Sequence, residues 1–399
     1  MDDETGQRIA RARRRRGLSQ AVVAGLAGRS ESWLSQVERG VRQVDSHAVL
    51  TRLAEVLRTD ISELTGPPGG EGEQRMYEPG AAIEAAMLDY SDTAASIGDA
   101  PGRDVSTAHL QGTATAALAA YQAARYDEAG RMLPALVREA EAAARAPGGM
   151  SPEACEARAV AYDVTAALLH RVGAASLAWL AADRAITAAA LSGRPARAAA
   201  AAWRLSHVIG GRRQPGHALA LAVMAADALQ RTPGGEPERL EALGALHLAA
   251  ASAAAAAFDR ATAEAMLGRA RGIAVETGNV NRLGTAFGPA NTAMHAMSAA
   301  LALGDARAAV EAGEAIDPDA LPAGCTGRRT QVRLDLARAY SMRRQDAAAV
   351  NMLLAAERLS PDLVRYDAAT RDVLGVLLRR EHRPSTPELR PLARRAGIA

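Results

Sequence analysis

Four side chains near the amino end, Gln20, Glu31, Ser32 and Gln36, carry chemistry that can read a base pair. A glutamine amide can make two hydrogen bonds to adenine, and a glutamate carboxylate can accept from the cytosine amino group. Ser30, Ser35, Arg39 and Arg42 lie in the same stretch and add hydroxyl and guanidinium donors. Trp33 offers a flat apolar ring with one N–H, suited to packing on a sugar-phosphate strand. Just upstream, Arg8, Arg11, Arg13, Arg14, Arg15 and Arg16 form a basic cluster. Clustered positive charge of this kind is what phosphate contact requires. The competing reading of the polar positions is an ordinary solvated helix face, and of the arginines a surface that keeps the chain soluble.

The elements that must position these groups can be read from spacing. Residues 18–40 run LSQAVVAGLAGRSESWLSQVERG. Ser19 and Ser30 are N-cap residues, whose side-chain oxygen accepts a first-turn N–H. Gln20 opens a helix with Val23, Ala24 and Ala27 as its apolar stripe. Gly28 separates it from a second helix, where a left-handed backbone costs least. There Leu34 and Val37 face inward and Glu31, Ser32, Ser35 and Gln36 face out. Glu38 is expected to bond inward and hold the helix pair together. A preceding helix is expected over 5–16, and a loop over 41–44 from which Arg42 can reach a phosphate. Ser46 is expected to cap a helix ending at Leu57, and Asp60 a short fifth helix over 61–64. The run Gly66-Pro67-Pro68-Gly69-Gly70-Glu71-Gly72 is a linker by composition.

These residues resemble the lambda-repressor-like, or xenobiotic-response-element, helix-turn-helix domain. The likeness rests on Leu18-Ser19-Gln20, Val23-Ala24, Ala27-Gly28, Ser30, Leu34-Ser35 and Val37-Glu38-Arg39-Gly40. Two positions depart from the pattern: Arg29 replaces an apolar residue after the glycine, and Val44 stands where a proline is common. The resemblance implies that Gln20, Glu31, Ser32 and Gln36 approach base edges or neighbouring phosphates.

Beyond Tyr77 the chain reads as helix after helix, without strand-like alternation. Residues 121–137, YQAARYDEAGRMLPALV, resemble the second-helix start of a tetratricopeptide unit. Echoes follow at Gly173-Ala174, Pro215-Gly216, Phe258-Asp259, Gly304-Asp305 and Gln345-Asp346, roughly 41 to 47 residues apart. An all-α chain is therefore expected: a five-helix DNA-binding head over 1–66, a linker over 67–79, and an α-solenoid of tetratricopeptide-like helix pairs over 80–399. Only 3% of residues are aromatic, so the core must be built from alanine and leucine. Pro134 and Pro289 fall within helical patterns and are expected to interrupt them. Trp179 and Trp203 are expected to pack inside.

The whole chain resembles regulators of GC-rich Gram-positive bacteria that join such a head to a tetratricopeptide-like body. The stretches Ala286-Phe287-Gly288-Pro289-Ala290-Asn291 and Asp317-Pro318-Asp319-Ala320-Leu321-Pro322 carry this part of the likeness. It implies a sensor without naming its signal, which could be a peptide, a small molecule or a protein. Asn281, Arg282, Phe287, Asn291 and His295, read as lying on or near one helix, are the candidate ligand residues. Asn291 and His295 are i, i+4 neighbours. The competing reading is a kinked helix whose polar groups bond to the next unit.

Other classes find little support. The chain contains no lysine, so all 47 basic residues are arginine and a phosphate loop ending in Lys-Ser/Thr is excluded. There is no GxSxG elbow and no HExxH. The two cysteines, Cys155 and Cys325, form no disulfide framework. His170, His207, His217 and His247 are scattered without metal spacing. No cofactor, metal or membrane partner is expected, and the location expected is cytoplasmic. The leading expectation is a sequence-specific transcriptional regulator, not an enzyme, acting as a homodimer on a palindromic duplex operator. The alternative is a protein-interaction scaffold with secondary DNA binding.

Overall fold

The computed structural model describes residues 2–40, 42, 44, 47–57, 59, 64, 77–90, 105–144, 150–233, 237–382 and 384–398. Every regular element among them is helical. The chain divides into two compact units, Met1–Tyr77 and Glu78–Ala399.

The first unit contains α1 (Asp2–Arg15), α2 (Gln20–Leu26), α3 (Glu31–Glu38) and α4 (His47–Leu57). Ser19 and Ser30 cap α2 and α3, accepting from the N–H groups of Val22 and Trp33, each at 3.2 Å. Ile9, Val23, Ala24, Leu34, Val37 and Leu53 meet in one core. Full burial of a side chain such as Leu34 contributes about 1.5–3 kcal/mol. Gly28 and Gly40, at φ 67° and 72°, turn the chain out of α2 and α3. The expected caps Ser46 and Asp60, residues 61–63 of the fifth helix, and residues 67–76 of the linker lie outside the described residues. Leu64 is described and is buried in the head core.

The second unit begins with α5 (Glu78–Met87). Six helix pairs follow among the described residues. They are α6 (Thr107–Gln122) with α7 (Tyr126–Ala144), α8 (Pro152–Arg171) with α9 (Ala175–Leu191), and α10 (Pro195–Gly211) with α11 (Pro215–Gln230). Then come α12 (Glu238–Ala256) with α13 (Arg260–Thr277), α14 (Pro289–Ala302) with α15 (Ala306–Glu314), and α16 (Thr326–Met342) with α17 (Asp346–Leu359). The short helices α18 (Pro361–Tyr366), α19 (Ala368–Arg379) and α20 (Leu389–Arg395) end the chain.

One device recurs in each pair. The residue two places before the second helix is left-handed: Ala124, Gly173, Arg213, Phe258, Gly304 and Arg344, with φ between 58° and 86°. At five of these turns the next N–H reaches back to a carbonyl five residues earlier, as Asp305 does to Ala300 at 2.8 Å. That bond satisfies a carbonyl left over at the helix end. It is why the sequence echoes coincide with the starts of second helices. Four of the six residues carry a Cβ, a conformation that costs roughly 1 kcal/mol or more.

The core that joins α10 through α14 is built mostly of alanine and leucine. On α12, residues 241–251 are buried on every face. Its Gly244 admits the ring of Phe287, which a Cβ there would overlap. Trp203 is buried. Trp179 differs from the expectation: it is half exposed, with the Arg212 guanidinium 6.0 Å from its ring centroid. In an alanine-rich helix the apolar stripe has no sharp edge, so the sequence does not show which face turns inward.

The prolines also separate. Helix α7 runs through Pro134, whereas Pro289 is the first residue of α14 and starts it. There the missing proline N–H costs nothing. The single helix expected around the ligand candidates is therefore corrected. Asn281, Arg282 and Phe287 belong to a loop over 278–288 that precedes α14. Gly278, Gly284, Ala286 and Gly288 all have positive φ in it. The wholly buried carboxylate of Glu241 holds this loop. It accepts from the N–H of Arg282 at 2.9 Å, the N–H of Leu283 at 3.0 Å and the Thr285 hydroxyl at 2.7 Å. Asn281 exchanges amide hydrogen bonds with Gln122 of α6 at 2.9 and 3.2 Å.

Early and late parts of this unit also meet. The Ser360 hydroxyl donates to the Ala124 carbonyl at 3.2 Å, and the Tyr126 N–H donates to Asp362 at 3.1 Å. No helix among the described residues is long and apolar enough to cross a membrane.

Candidate nucleic-acid interface

Helix α3 is anchored on one side and open on the other. Leu34, Val37 and Glu38 are buried. Glu31, Ser32 and Arg39 are exposed, and Ser35 and Gln36 are half-buried. On a helix Ser32 and Gln36, and likewise Ser35 and Arg39, are i, i+4 neighbours, so the polar groups form one strip. The Arg39 Nε donates to the Ser35 carbonyl at 3.2 Å, which lays its side chain along that strip. Arg42 is exposed beyond the helix, its N–H bonded to the Gln36 carbonyl at 3.2 Å. The Ser30 hydroxyl is engaged as the α3 cap.

Two candidates have local partners. Trp33 is half-buried against the head core, and the Arg29 guanidinium stands 5.6 Å over its ring. Thus Arg29 covers the indole instead of packing in the turn as an apolar residue would. Gln20 donates its amide to Glu38 Oε2 at 2.7 Å and leaves its carbonyl oxygen as an acceptor.

Glu38 is the hub of the motif. Arg13 grips it with two donors, Nε to Oε1 at 2.6 Å and Nη2 to Oε2 at 2.8 Å. Burial alone would raise the Glu38 pKa. Hydrogen bonds from Arg13 and Gln20 outweigh that and hold the carboxyl below its ordinary value. The paired arrangement fixes α1 against α3 in a way two separate contacts could not.

The basic cluster therefore divides. Arg13 belongs to Glu38, and Arg16 donates to the Val56 carbonyl at 2.6 Å. Arg11, Arg14 and Arg15 are exposed and keep their charge toward solvent. Spacing along the chain could not make this division, because it depends on partners 25 and 40 residues away.

One positioning residue escaped the sequence reading altogether. Gly6 lies where α1 crosses α3, and a Cβ there would overlap the carbonyl oxygen of Val37. Any side chain at Gly6 must push α3 away. Nothing in its neighbourhood marks it, since a glycine in a polar helix usually just weakens it.

The fold, the two caps, the glycine turn and the outward polar strip are the parts of a helix-turn-helix. Residues 4–65 match the helix-turn-helix domain family. No curated protein matches the chain. Among solved structures, the chain is similar to PlcR of Bacillus thuringiensis, crystallised with the peptide PapR7 and DNA. That match has 13% identity and a TM-score of 0.37, and covers 88% of this chain and 99% of the other. It is also similar to the apo form of the competence regulator ComR of Streptococcus vestibularis. Here identity is 10%, the TM-score 0.29, and coverage 87% of this chain and 98% of the other.

The ligand candidates of the second unit scatter by environment. Phe287 is wholly buried core and Arg282 is exposed. Asn281 is spent on Gln122 and on the N–H of Ala286, at 2.9 Å each. Asn291 and His295 lie together on α14 and are both buried. Among the described residues, no three His, Cys, Asp or Glu side chains gather as a metal site.

Proposed function

We propose that this chain is a sequence-specific DNA-binding transcriptional regulator that acts by binding rather than catalysis. The observation that carries the reading is α3: a short helix fixed from beneath by Leu34, Val37 and the Arg13–Glu38 pair, with Glu31, Ser32 and Gln36 on its open side. Such a helix fits the major groove, where Gln36 and Glu31 can read base edges and Arg14, Arg39 and Arg42 neutralise phosphates. One head reads only a few base pairs. Two copies of the chain would place two such helices in successive major grooves about 34 Å apart on a palindromic site. The helical-repeat unit supplies the dimer contact and senses an effector, which shifts head spacing only if it binds one arrangement better than the other.

A mobility shift with the DNA upstream of the protein's own gene tests this. Gln36→Ala should cost about 1–3 kcal/mol on the preferred sequence and little on sequences altered at the base it reads. Arg14→Ala should weaken binding to all sequences alike and lower the salt slope by about one. Equal loss on every sequence for Gln36→Ala would remove it from base reading.

A further inference from the structure

The first helices of five of the six pairs in the second unit send polar side chains toward one interior region. Tyr121 comes from α6, Arg171 from α8, Arg204 and His207 from α10, His295 from α14 and Arg328 from α16. The residues interlock. Arg204 lies 6.0 Å from the Tyr121 ring centroid, and the His207 and His295 ring centroids are 6.1 Å apart. Arg328 is within electrostatic reach of both Arg204 and Arg171. Arg204 is buried, whereas Arg171 and Arg328 keep some accessible surface. They line an inner wall that solvent can reach.

Among the described residues, one of the three guanidinium groups on this wall lacks a direct carboxylate partner. Arg171 pairs with Asp367 at 3.2 Å, and Arg204 with Asp163 at 3.0 Å. Arg328 has no carboxylate partner among the described residues. The hydrogen bond its side chain makes is a long one, 3.4 Å, to the Thr285 carbonyl. Asn291 donates to the same carbonyl, also at 3.4 Å, so the two side chains meet there. Asn291 is 2% exposed, and its Oδ1 has no hydrogen-bond partner. An unpaired guanidinium beside an unsatisfied buried acceptor is costly in a folded interior. The neighbouring histidines do not relieve it. Burial and the adjacent cations pull His295 down to about 3 and His207 well below its usual value.

We propose that this wall is the effector site and binds a compact oxyanion, a carboxylate or a phosphate, at Arg328. Asn291 Oδ1 takes a hydrogen bond from an N–H or O–H donor beside the anion. The planar guanidinium matches either oxyanion in a two-pronged geometry. Tyr121 and the aromatic edge of His207 give the remainder of the ligand a surface to lie on. This rests on the reading of the second unit as a sensor and gives that effector its chemistry. It does not rest on DNA binding by the head.

Thermal unfolding of the full chain decides it, in chloride, inorganic phosphate and N-acetylglycine at matched ionic strength. The expected result is a midpoint several degrees above chloride in one of the two oxyanions, the larger shift assigning phosphate or carboxylate. Arg328→Met should unfold in chloride at or above the wild-type midpoint and lose the oxyanion increment. Arg328→Gln, measured in parallel, should lose the same increment. The proposal is overturned if neither oxyanion exceeds chloride, if both variants keep the increment, or if both fail to fold, which would make Arg328 a structural residue. Mobility shifts read the head separately, so loss of DNA binding would sink the regulator reading and leave the anion result standing.

Discussion

Glu38→Ala is expected to uncouple α3 from α1 and to abolish operator binding. The change removes the acceptor for two Arg13 donors and the Gln20 amide at once. Breaking one side of a mostly buried ion pair costs about 3 kcal/mol or more, because the partner charge stays behind without compensation. That is a large fraction of the roughly 5–15 kcal/mol that holds a small domain together. Amide hydrogen exchange should speed up along α1 and α3 while the helix pairs of the second unit keep their protection. Unchanged exchange in α3 would show that the apolar contacts of Leu34 and Val37 suffice. The pair also sets a pH dependence. The Glu38 carboxyl is held below its ordinary value in the fold. Its contribution is therefore complete above the unfolded carboxylate value of about 4.3, and is lost as pH falls through the lower folded value. Acid should loosen the wild-type head in that range, and Glu38→Ala should lack that acid-dependent component.

Glu241→Ala is expected to release the loop over 278–288 and destabilise the second unit more than any exposed substitution. Two backbone N–H groups and the Thr285 hydroxyl would lose their acceptor in a wholly buried place. Each orphaned donor costs about 1–3 kcal/mol. The loop carries four residues of positive φ, and Asn281 within it ties the loop to α6 across 159 residues of sequence. Releasing it should lower the unfolding midpoint of the second unit by several degrees and expose the Asn291–Arg328 wall to faster exchange. Glu241→Gln, which keeps one acceptor oxygen, should lose less. Equal loss in both variants would mean that the carboxylate charge, and not its hydrogen bonds, holds the loop.

These two residues mark where reading from the sequence stops. The outward strip of α3 was legible because Leu34 and Val37 set the phase of the helix and Ser30 set its start. The starts of the second helices were legible because the left-handed turn before each one leaves a local mark, Gly173 and Gly304 among them. Glu241 left no such mark. It is one carboxylate among many, and its three donors lie about 40 residues away. Gly6 is silent for the same reason, since only the crossing of α1 and α3 makes its missing Cβ matter. The expectation that the ligand candidates lie on or near one helix passes over Gly278, Asn279, Asn281, Gly284, Gly288 and Pro289, which are dense turn signals. Helical context on both sides masked them. The inner wall could not be read either. Arg171, Arg204 and Arg328 come from different repeats, and only the packing of those repeats brings them within reach of one another.

Selection of bound fragments from a random-sequence duplex pool, using the full chain, tests the central claim most directly. The account predicts enrichment of two related half-sites about one helical turn apart, with Gln36→Ala relaxing one base position in each. Recovery of fragments no different from the starting pool would contradict it.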